Sequence, residues 1–300
     1  MRLVYGLVSP TATYWAHYVA LARGFYAAEG LTVDAVLTES TGGSVAALEA
    51  GRVDVAGNCP DYVIAAVERG EALAIVGGVV RRPVSAIVAQ PAIPSLSALR
   101  GRRVAVVELI GGVSSLLKAI LRRHGLGPGD YQLVMVGSTP AQAEALRQGA
   151  VDAAMLTHPF EARLVAEGYR LLGYASAYWP AYAFATLNVR RDWAEAHAET
   201  LVAFLRATIR AGRWLHEPAH AAEAQAILAA STGLPTPEVA DTYRRYIQEA
   251  VLAREAEIDQ PALQAVLDVM REEQLLSAAP SSDWYVDRSY WLQAQADLAR

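Results

Sequence analysis

The sequence predicts an α/β protein of two doubly wound lobes, joined by a two-strand hinge, with a ligand cleft between them. One observation is a repeat: Ala-Leu-Glu-Ala-Gly-Arg-Val-Asp-Val-Ala at 47–56 returns as Ala-Leu-Arg-Gln-Gly-Ala-Val-Asp-Ala-Ala at 145–154. A second is the alternation of short apolar runs with helical patterns around both copies, which is typical of a parallel sheet. In each copy a glycine, Gly51 or Gly149, stands where a helix stops in a left-handed turn. A repeat of this kind indicates two similar halves.

Each half follows the same order of elements. Apolar runs predict strands at 2–8, 32–37, 53–56, 72–80 and 84–89 in the first part of the chain, and at 103–107, 131–136, 152–156, 169–174 and 183–189 in the second. Three- and four-residue spacing predicts helices at 14–27, 41–51, 60–69, 111–124, 138–149 and from 157 onward. The two extended crossings, near 83–89 and 182–189, would form the hinge.

The last third of the chain has an Ala-rich helical pattern. We expect helices near 198–215, 219–230, 237–248, 260–273 and 290–298, packed as an extension on lobe 1. The predicted domains are therefore 1–83 plus 188–300 for lobe 1 and 84–187 for lobe 2.

Composition excludes several classes of protein. The 300 residues are 53% hydrophobic and 19% charged, and the net charge of −5 carries no nucleic-acid footprint. The single cysteine, Cys59, excludes an internal disulfide and a cysteine-based metal cluster, so we expect neither cofactor nor metal. No segment is long and apolar enough for a membrane span. The first residues are typical of a strand rather than an export signal, so either the protein is unexported or a signal has been removed.

Four ordered motifs resemble a known family. They are Ala-Arg-Gly-Phe-Tyr at 22–26 followed by Glu-Gly-Leu at 29–31, the two repeat copies, and Leu-Arg-Gly-Arg-Arg-Val-Ala-Val at 99–106. Their order and spacing resemble the substrate-binding proteins of ABC importers for nitrate, sulfonates, taurine and the pyrimidine precursor of thiamine, which have the type II periplasmic binding protein fold. The resemblance implies a monomer that binds one small molecule and delivers it to the membrane subunits of an importer. It implies a periplasmic or cell-surface location if a signal was removed, with the cytoplasm as the alternative.

Ligands of open α/β sheets bind beyond the carboxyl ends of the strands. The loops expected there are 9–17, 40–44, 57–61, 109–115, 137–140 and 157–160. Two of them place glycine and hydroxyl residues at a helix N-terminus, where free N–H groups suit an anion. These residues are Thr41, Gly42, Gly43 and Ser44 in one half and Gly111, Gly112, Val113 and Ser114 in the other. Plain helix capping is the alternative reading of both sets.

The remaining candidate ligand-binding residues lie in the other loops and beside the hinge. They are Thr13, Tyr14, Trp15, His17, Asn58, Cys59, Arg81, Thr139, His158 and Tyr182. An aromatic ring would stack on a planar ligand, and an arginine would clamp an anion. The alternatives are core packing for the rings, solvated surface charge for Arg81, and capping of the helix at Pro60 for Asn58.

These observations favour a solute-binding protein for a small planar or aromatic ligand, anionic or neutral, without a catalytic activity. Two alternatives stay open. One is an enzyme on the same fold, either desulfinase-like with Cys59, His17 and Arg81, or pyrimidine-synthase-like, against which the single cysteine and the single lysine, Lys118, argue. The other is an unexported module that senses a ligand and signals to a partner.

Overall fold

The computed structural model describes residues 1–109, 111–276 and 281–300. The chain forms two compact units. The first contains Met1–Arg81, Tyr182–Val266 and 281–300, and the second contains Arg82–Ala181 and 267–276. The predicted lobe boundaries stay a prediction. The compact units differ from the predicted lobes chiefly in residues 267–276, which the prediction places in lobe 1 and which belong to the second unit.

The sheet of the first unit has the strand order β2-β1-β3-β10-β4. Its strands are β1 (Arg2–Leu7), β2 (Thr32–Leu37), β3 (Val55–Asn58), β4 (Leu73–Val80) and β10 (Ala185–Arg190). The first three are parallel to one another, with β1 between β2 and β3. Strand β10 enters directly after the chain returns at Tyr182, and it runs antiparallel to β3 and β4.

The sheet of the second unit repeats this arrangement in the order β7-β6-β8-β5-β9. Its strands are β5 (Ser85–Ala89), β6 (Arg103–Val106), β7 (Gln132–Met135), β8 (Ala153–Thr157) and β9 (Arg170–Tyr174). Here β5 is the strand that enters after a crossing, and it is antiparallel to β8 and β9. The predicted α/β class is confirmed, but both sheets are mixed rather than parallel because each accepts one crossing strand.

The helices lie close to their predicted positions. They are α1 (Trp15–Ala22), α2 (Phe25–Ala28), α3 (Thr41–Glu49), α4 (Pro60–Glu68), α5 (Gly112–Arg123), α6 (Thr139–Arg147), α7 (Phe160–Ala166), α8 (Arg191–Ala196), α9 (Ala198–Leu215), α10 (Ala221–Thr232), α11 (Thr236–Tyr243), α12 (Gln260–Glu272) and α13 (Ser289–Leu298). The predicted helix 14–27 is divided because Gly24 is left-handed, with φ 69°. The predicted helix 237–248 ends as a π-helical turn, Arg244–Gln248. Helix α8 was not predicted, since six residues carry little periodicity.

Within the first unit, α9 contacts α1, α2 and α13, and α10 contacts α1 and α11. Helix α12 is divided between the two units, since residues 267–272 belong to the second. Ionic contacts reinforce this packing. The Glu29 carboxylate, only 7% exposed, accepts hydrogen bonds from Arg206 at 2.6 Å and Arg210 at 2.6 Å, and Arg206 also donates to Asp297 at 2.8 Å. This packing buries one face of α1 and so decides which of its residues reach the sheet edge.

Candidate functional site

The carboxyl ends of β1, β2 and β3 meet at one edge of the first sheet, because these strands are parallel. Tyr14, in the turn after β1, joins two of the loops at this edge. Its hydroxyl accepts a hydrogen bond from the N–H of Val8 at 2.8 Å and donates one to the carbonyl of Gly57 at 2.7 Å. Burial raises the pKa of Tyr14, so the phenol stays protonated and can keep both bonds. Its ring packs so closely on Gly57 that a side chain there would clash.

Helix α3 begins at the same edge with the predicted glycine and hydroxyl residues. The residue that caps it is Ser40, whose Oγ accepts a hydrogen bond from the N–H of Gly43 at 2.9 Å. Within the residues that the structure describes, the N–H groups of Thr41 and Gly42 donate to no protein acceptor. Both residues are partly exposed. The first turn of α3 therefore presents two backbone donors at the positive end of a helix, which is the arrangement that binds anions.

Helix α4 begins beside this turn. Its N-cap is Cys59, a partly exposed thiol, and the ring of Tyr62 lies 3.8 Å from the position that a Cβ on Gly42 would take. The phenol of Tyr182 is buried against the same helix start. Burial raises the pKa of Tyr182 well above its usual value, and the neighbouring Asp61 and then Cys59 add to the shift. We refer to the partly exposed Thr41, Gly42, Cys59 and Tyr62 as the first-unit wall. The predicted ligand residues Tyr14 and Tyr182 are each only 3% exposed and belong to the packing around it.

Two of the predicted ligand residues belong to the core instead. Trp15 is fully buried, its indole N–H donates to the carbonyl of Ala224 at 3.0 Å, and its ring meets Tyr243 edge-on. His17 is buried among tyrosine rings, with Nδ1 3.1 Å from the hydroxyl of Tyr26. Burial lowers the pKa of His17 to about 4, so at neutral pH the ring carries no positive charge to attract an anion. Trp15 faces the C-terminal helices, whereas His17 lies among Tyr5, Tyr18 and Tyr26. Thr13, one residue before Tyr14, stays partly exposed.

Arg81 and Asn58 also take part in contacts that the sequence did not predict. The guanidinium of Arg81 forms ion pairs with Glu257 at 3.2 Å and Asp259 at 2.8 Å, so its charge is already compensated. Asn58 does not cap α4, since both ends of its amide bond to other buried side chains, Ser44 and Asn188. Arg81 is therefore no longer a candidate anion ligand. Asn58 is a buried residue whose amide connects α3 to β10.

In the second unit the predicted residues also lie at helix starts. Gly111, with φ 84°, is the N-cap of α5, and Gly112 and the partly exposed Val113 begin the helix. The hydroxyl of Ser114 donates to the carbonyl of Glu108. Ile110, within the predicted loop 109–115, lies outside the described residues. This bond within the loop, which is not a helix cap, accounts for Ser114, while Gly111, Gly112 and Val113 stay candidates.

The other two loops of the second unit differ from each other. Thr139 is the first residue of α6 and is partly exposed, but the next residue is Pro140, which has no N–H to offer. His158 is buried before α7, with Nδ1 2.9 Å from Oε1 of the buried Glu161. The buried carboxylate already occupies one ring nitrogen of His158.

The residues of the desulfinase-like alternative have different neighbours. Those of His17 are Tyr5, Tyr18 and Tyr26. Arg81 has its two carboxylates, and Cys59 lies beside Tyr14 and Tyr182. A neutral histidine with Nδ1 beside a tyrosine hydroxyl, and an arginine paired with two acids, are poorly suited to activating a thiol.

The part of the chain that the structure describes lacks two kinds of feature. It contains no cluster of three or more histidine, cysteine or acidic side chains with the geometry of a metal site. Among its helices, none combines the length and the apolar character that a bilayer crossing needs.

The cap Ser40 and the buried partners of Asn58 were not among the residues predicted from the sequence. Ser40 could have been found, because a serine directly before a helical pattern is a typical N-cap. Asn188 and Thr186 carry no local signal, since they lie within an otherwise apolar strand more than a hundred residues from Asn58.

Two units with the same strand order, each holding one antiparallel crossing strand, define a fold of the periplasmic binding protein class. The chain belongs to the NMT1/THI5-like family, whose model matches residues 12–222. The resemblance stated from the motifs is thereby confirmed.

The proteins that this chain resembles in sequence include binding and transport proteins. The chain is 28% identical over 262 residues to the taurine-binding periplasmic protein of Escherichia coli K12, a match that spans 83% of this chain and 80% of the relative. It is 32% identical over 126 residues to the bicarbonate transport ATP-binding protein CmpC of Synechocystis, covering 40% of this chain and 18% of CmpC. The nitrate/nitrite binding protein NrtA of Synechococcus elongatus is 28% identical over 39% of this chain and 27% of NrtA. The match therefore spans about a fifth of CmpC and about a quarter of NrtA.

Solved structures share the fold along the whole chain. A protein of Bordetella bronchiseptica RB50 superposes with a TM-score of 0.84 at 18% identity, covering 100% of this chain and 98% of that one. The alkanesulfonate-binding protein SsuA of Xanthomonas axonopodis, bound to MOPS, gives 0.79 at 21% identity over 96% and 98%. The desulfurization enzyme DszB gives 0.72 at 17% identity over 99% of each chain. Binding proteins and an enzyme thus use this fold.

Proposed function

We propose that this protein is a solute-binding protein that captures a small organic anion and delivers it to the membrane subunits of an ABC importer. The single observation that carries the proposal is the first turn of α3, where the N–H groups of Thr41 and Gly42 donate to no acceptor among the described residues. Similarity to the taurine-binding protein over 83% of this chain supports the same reading.

The chemistry of the wall narrows the ligand. Backbone donors at a helix N-terminus suit a sulfonate, carboxylate or nitrate oxygen. The partly exposed ring of Tyr62 lies next to these donors, 3.8 Å from the position that a Cβ on Gly42 would take, and ring surface binds planar or apolar groups. A ligand with an anionic head and a planar or apolar body therefore fits better than a bare inorganic anion. Two or three charge-assisted hydrogen bonds of roughly 1.5–3 kcal/mol each and a buried ring reach the roughly −8 kcal/mol of micromolar binding.

The test is a thermal-shift screen of the purified protein followed by calorimetry of the hits. The panel contains taurine, MOPS, benzenesulfonate, benzoate, nitrate, bicarbonate, a hydroxymethylpyrimidine and a flavin. We expect saturable stabilisation by at least one organic anion and none by its amide or alcohol analogue. Stabilisation by the uncharged analogue alone would contradict an anion site.

The proposal assigns no reaction to the protein. Ligand recovered unchanged after long incubation is the expected result, and Cys59→Ser, which keeps a small polar side chain at this position of the wall, should retain saturable binding. Turnover that depends on Cys59 would instead favour the enzyme alternative. A periplasmic or cell-surface location and a monomeric state belong to the same proposal, and fractionation and light scattering test them.

A further inference from the structure

Buried polar side chains connect three elements beneath the first-unit wall. We call Thr186 and Asn188 on β10, Asn58 at the end of β3, and Ser44 in α3 the buried polar chain. All four are between 0% and 3% exposed. No hydrogen bond between any two of them was predicted from the sequence.

The hydrogen bonds of this chain run in one direction. The Thr186 hydroxyl donates to Oδ1 of Asn188 at 2.8 Å, Nδ2 of Asn188 donates to Oδ1 of Asn58 at 2.9 Å, and Nδ2 of Asn58 donates to Oγ of Ser44 at 3.0 Å. Asn188 also donates to the carbonyl of Ala56 at 3.1 Å. Rotating either amide would place like atoms face to face, so each has one orientation. The buried polar chain therefore links α3 to β3 and β10 with fixed geometry.

The second unit shows that the sheet itself does not require these polar groups. Thr186 pairs with Asn58 across β10 and β3, and Ala86 pairs with Leu156 across β5 and β8. The two sheets have the same strand order, and the repeat of 47–56 at 145–154 places residue 156 where residue 58 stands, so these pairs are equivalent. By the same register, Asn188 opposite Ala56 corresponds to Val88 opposite Ala154. Ala86, Val88 and Leu156 are fully buried.

Burying two amides and a hydroxyl costs desolvation free energy that an apolar set does not incur. The apolar set of the second unit builds the same register, so the polar set of the first unit calls for a reason other than sheet formation. Its far end is Ser44, which lies in the first turns of α3. Side chains of a helix lean towards its N-terminus, so Ser44 lies beneath the turn that carries Thr41 and Gly42.

We propose that Thr186 and Asn188 are positioning residues for ligand binding. Through Asn58 and Ser44 they hold the first turn of α3 so that the N–H groups of Thr41 and Gly42 are aimed at the anionic group of the ligand. This inference rests on the proposed function and names the part of the fold that sets its geometry.

The experiment transfers the apolar set of the second unit into the first. The triple variant Asn58→Leu/Thr186→Ala/Asn188→Val is expected to fold, because that combination already packs at the same register. Two measurements follow: the assigned amide spectrum of protein labelled with [15N]glycine, which needs no ligand, and calorimetric titration with taurine and MOPS. Thr186→Ser, which keeps the hydroxyl donor, is the matched control.

We expect the melting temperature of the triple variant to equal or exceed that of the wild type. The amide signals of Gly42 and Gly43 should move, while those of Gly129 and Gly168 in the second unit stay in place. The affinity of the triple variant for the sulfonate should fall about tenfold or more, whereas Thr186→Ser should keep the wild-type signals and affinity.

Unmoved Gly42 and Gly43 signals, or wild-type sulfonate affinity in the folded triple variant, would overturn the inference. If the triple variant does not fold, the buried polar chain is needed for stability, and this result also overturns the inference. If the wild type binds neither taurine nor MOPS, the proposed function fails for these sulfonates, and the glycine amide signals alone decide whether the chain positions α3.

Discussion

The carboxylate of Asp54 accepts a hydrogen bond from the N–H of Val4 at 2.7 Å, and the N–H of Asp54 donates to the carbonyl of Val4 at 2.9 Å. The second copy of the repeat makes the same two bonds. The carboxylate of Asp152 accepts from the N–H of Arg103 at 2.8 Å, and its own N–H donates to the Arg103 carbonyl at 2.8 Å. The repeated aspartate therefore joins the start of one strand to its parallel neighbour, which is a role in the scaffold and not in the chemistry.

Replacing this aspartate should lower stability without changing ligand affinity. Asp54→Ala leaves the N–H of Val4 without its acceptor, and we expect a loss of about 1–3 kcal/mol in the free energy of unfolding, measured in urea. Asp34→Ala, which removes an exposed ion pair with Arg2, is the control and should cost less than about 1 kcal/mol. Equal losses for the two variants would contradict the scaffold role.

A proline at the start of α3 should test the anion donors one at a time. Thr41→Pro removes the N–H of Thr41, and the fold accommodates it because Ser40 is extended, with φ −147° and ψ 162°, and proline is favoured at the first helical position. We expect the melting temperature to stay unchanged. The affinity for taurine, measured by calorimetry, should fall roughly ten- to hundredfold. Thr41→Ala keeps the N–H and should lose much less. Equal affinities for the two variants would exclude this N–H from the site.

Neighbouring glycines of α3 should respond in opposite ways to alanine. A Cβ on Gly43 would lie 2.6 Å from the carbonyl of Thr38, so Gly43→Ala forces the cap apart, and we expect a clear fall in melting temperature. A Cβ on Gly42 meets only the ring of Tyr62, at 3.8 Å, so Gly42→Ala should gain up to about 1 kcal/mol from helix propensity. Differential scanning calorimetry distinguishes the two, and a stable Gly43→Ala would show that Thr38 and its loop can move.

Acid should destabilise the first unit through His17. Burial lowers the pKa of His17 to about 4 from its ordinary 6.5, so below pH 6.5 the unfolded chain binds a proton that the folded chain does not. The stability from this residue is complete above about pH 6.5 and is lost as the pH falls towards 4, by ~3 kcal/mol in total. His17→Phe should flatten this part of the pH profile of urea unfolding. Parallel profiles for the variant and the wild type would contradict the assignment.

The starts and ends of the helices could be predicted from sequence because they depend on local rules. Gly51 and Gly149 end helices with φ 66° and 68°, and Thr41 and Gly112 begin helices where hydroxyls and glycines predicted them. The family could be predicted too, since its motifs are short and ordered. These signals depend on residues a few positions apart, which the chain carries whatever its tertiary structure.

The roles of single side chains at the site could not be predicted in this way. Arg81 looked like an anion clamp until the fold placed Glu257 and Asp259 beside it, and Trp15 looked like a ligand ring until the fold covered it with α10. Each of these partners lies more than a hundred residues away in the chain. No periodicity or spacing within the sequence specifies such a pair.

The sequence by itself therefore determined the α/β class, the two similar halves, the helix termini and the family, because backbone conformation and hydrophobic periodicity are local properties. Only the tertiary structure decided that each sheet takes one antiparallel strand, that Arg81 and Trp15 belong to the scaffold, and that Asn188 supports Asn58. Hydrogen bonds and ion pairs between distant segments form only when folding brings both partners together, and burial then decides which polar groups remain available to a ligand.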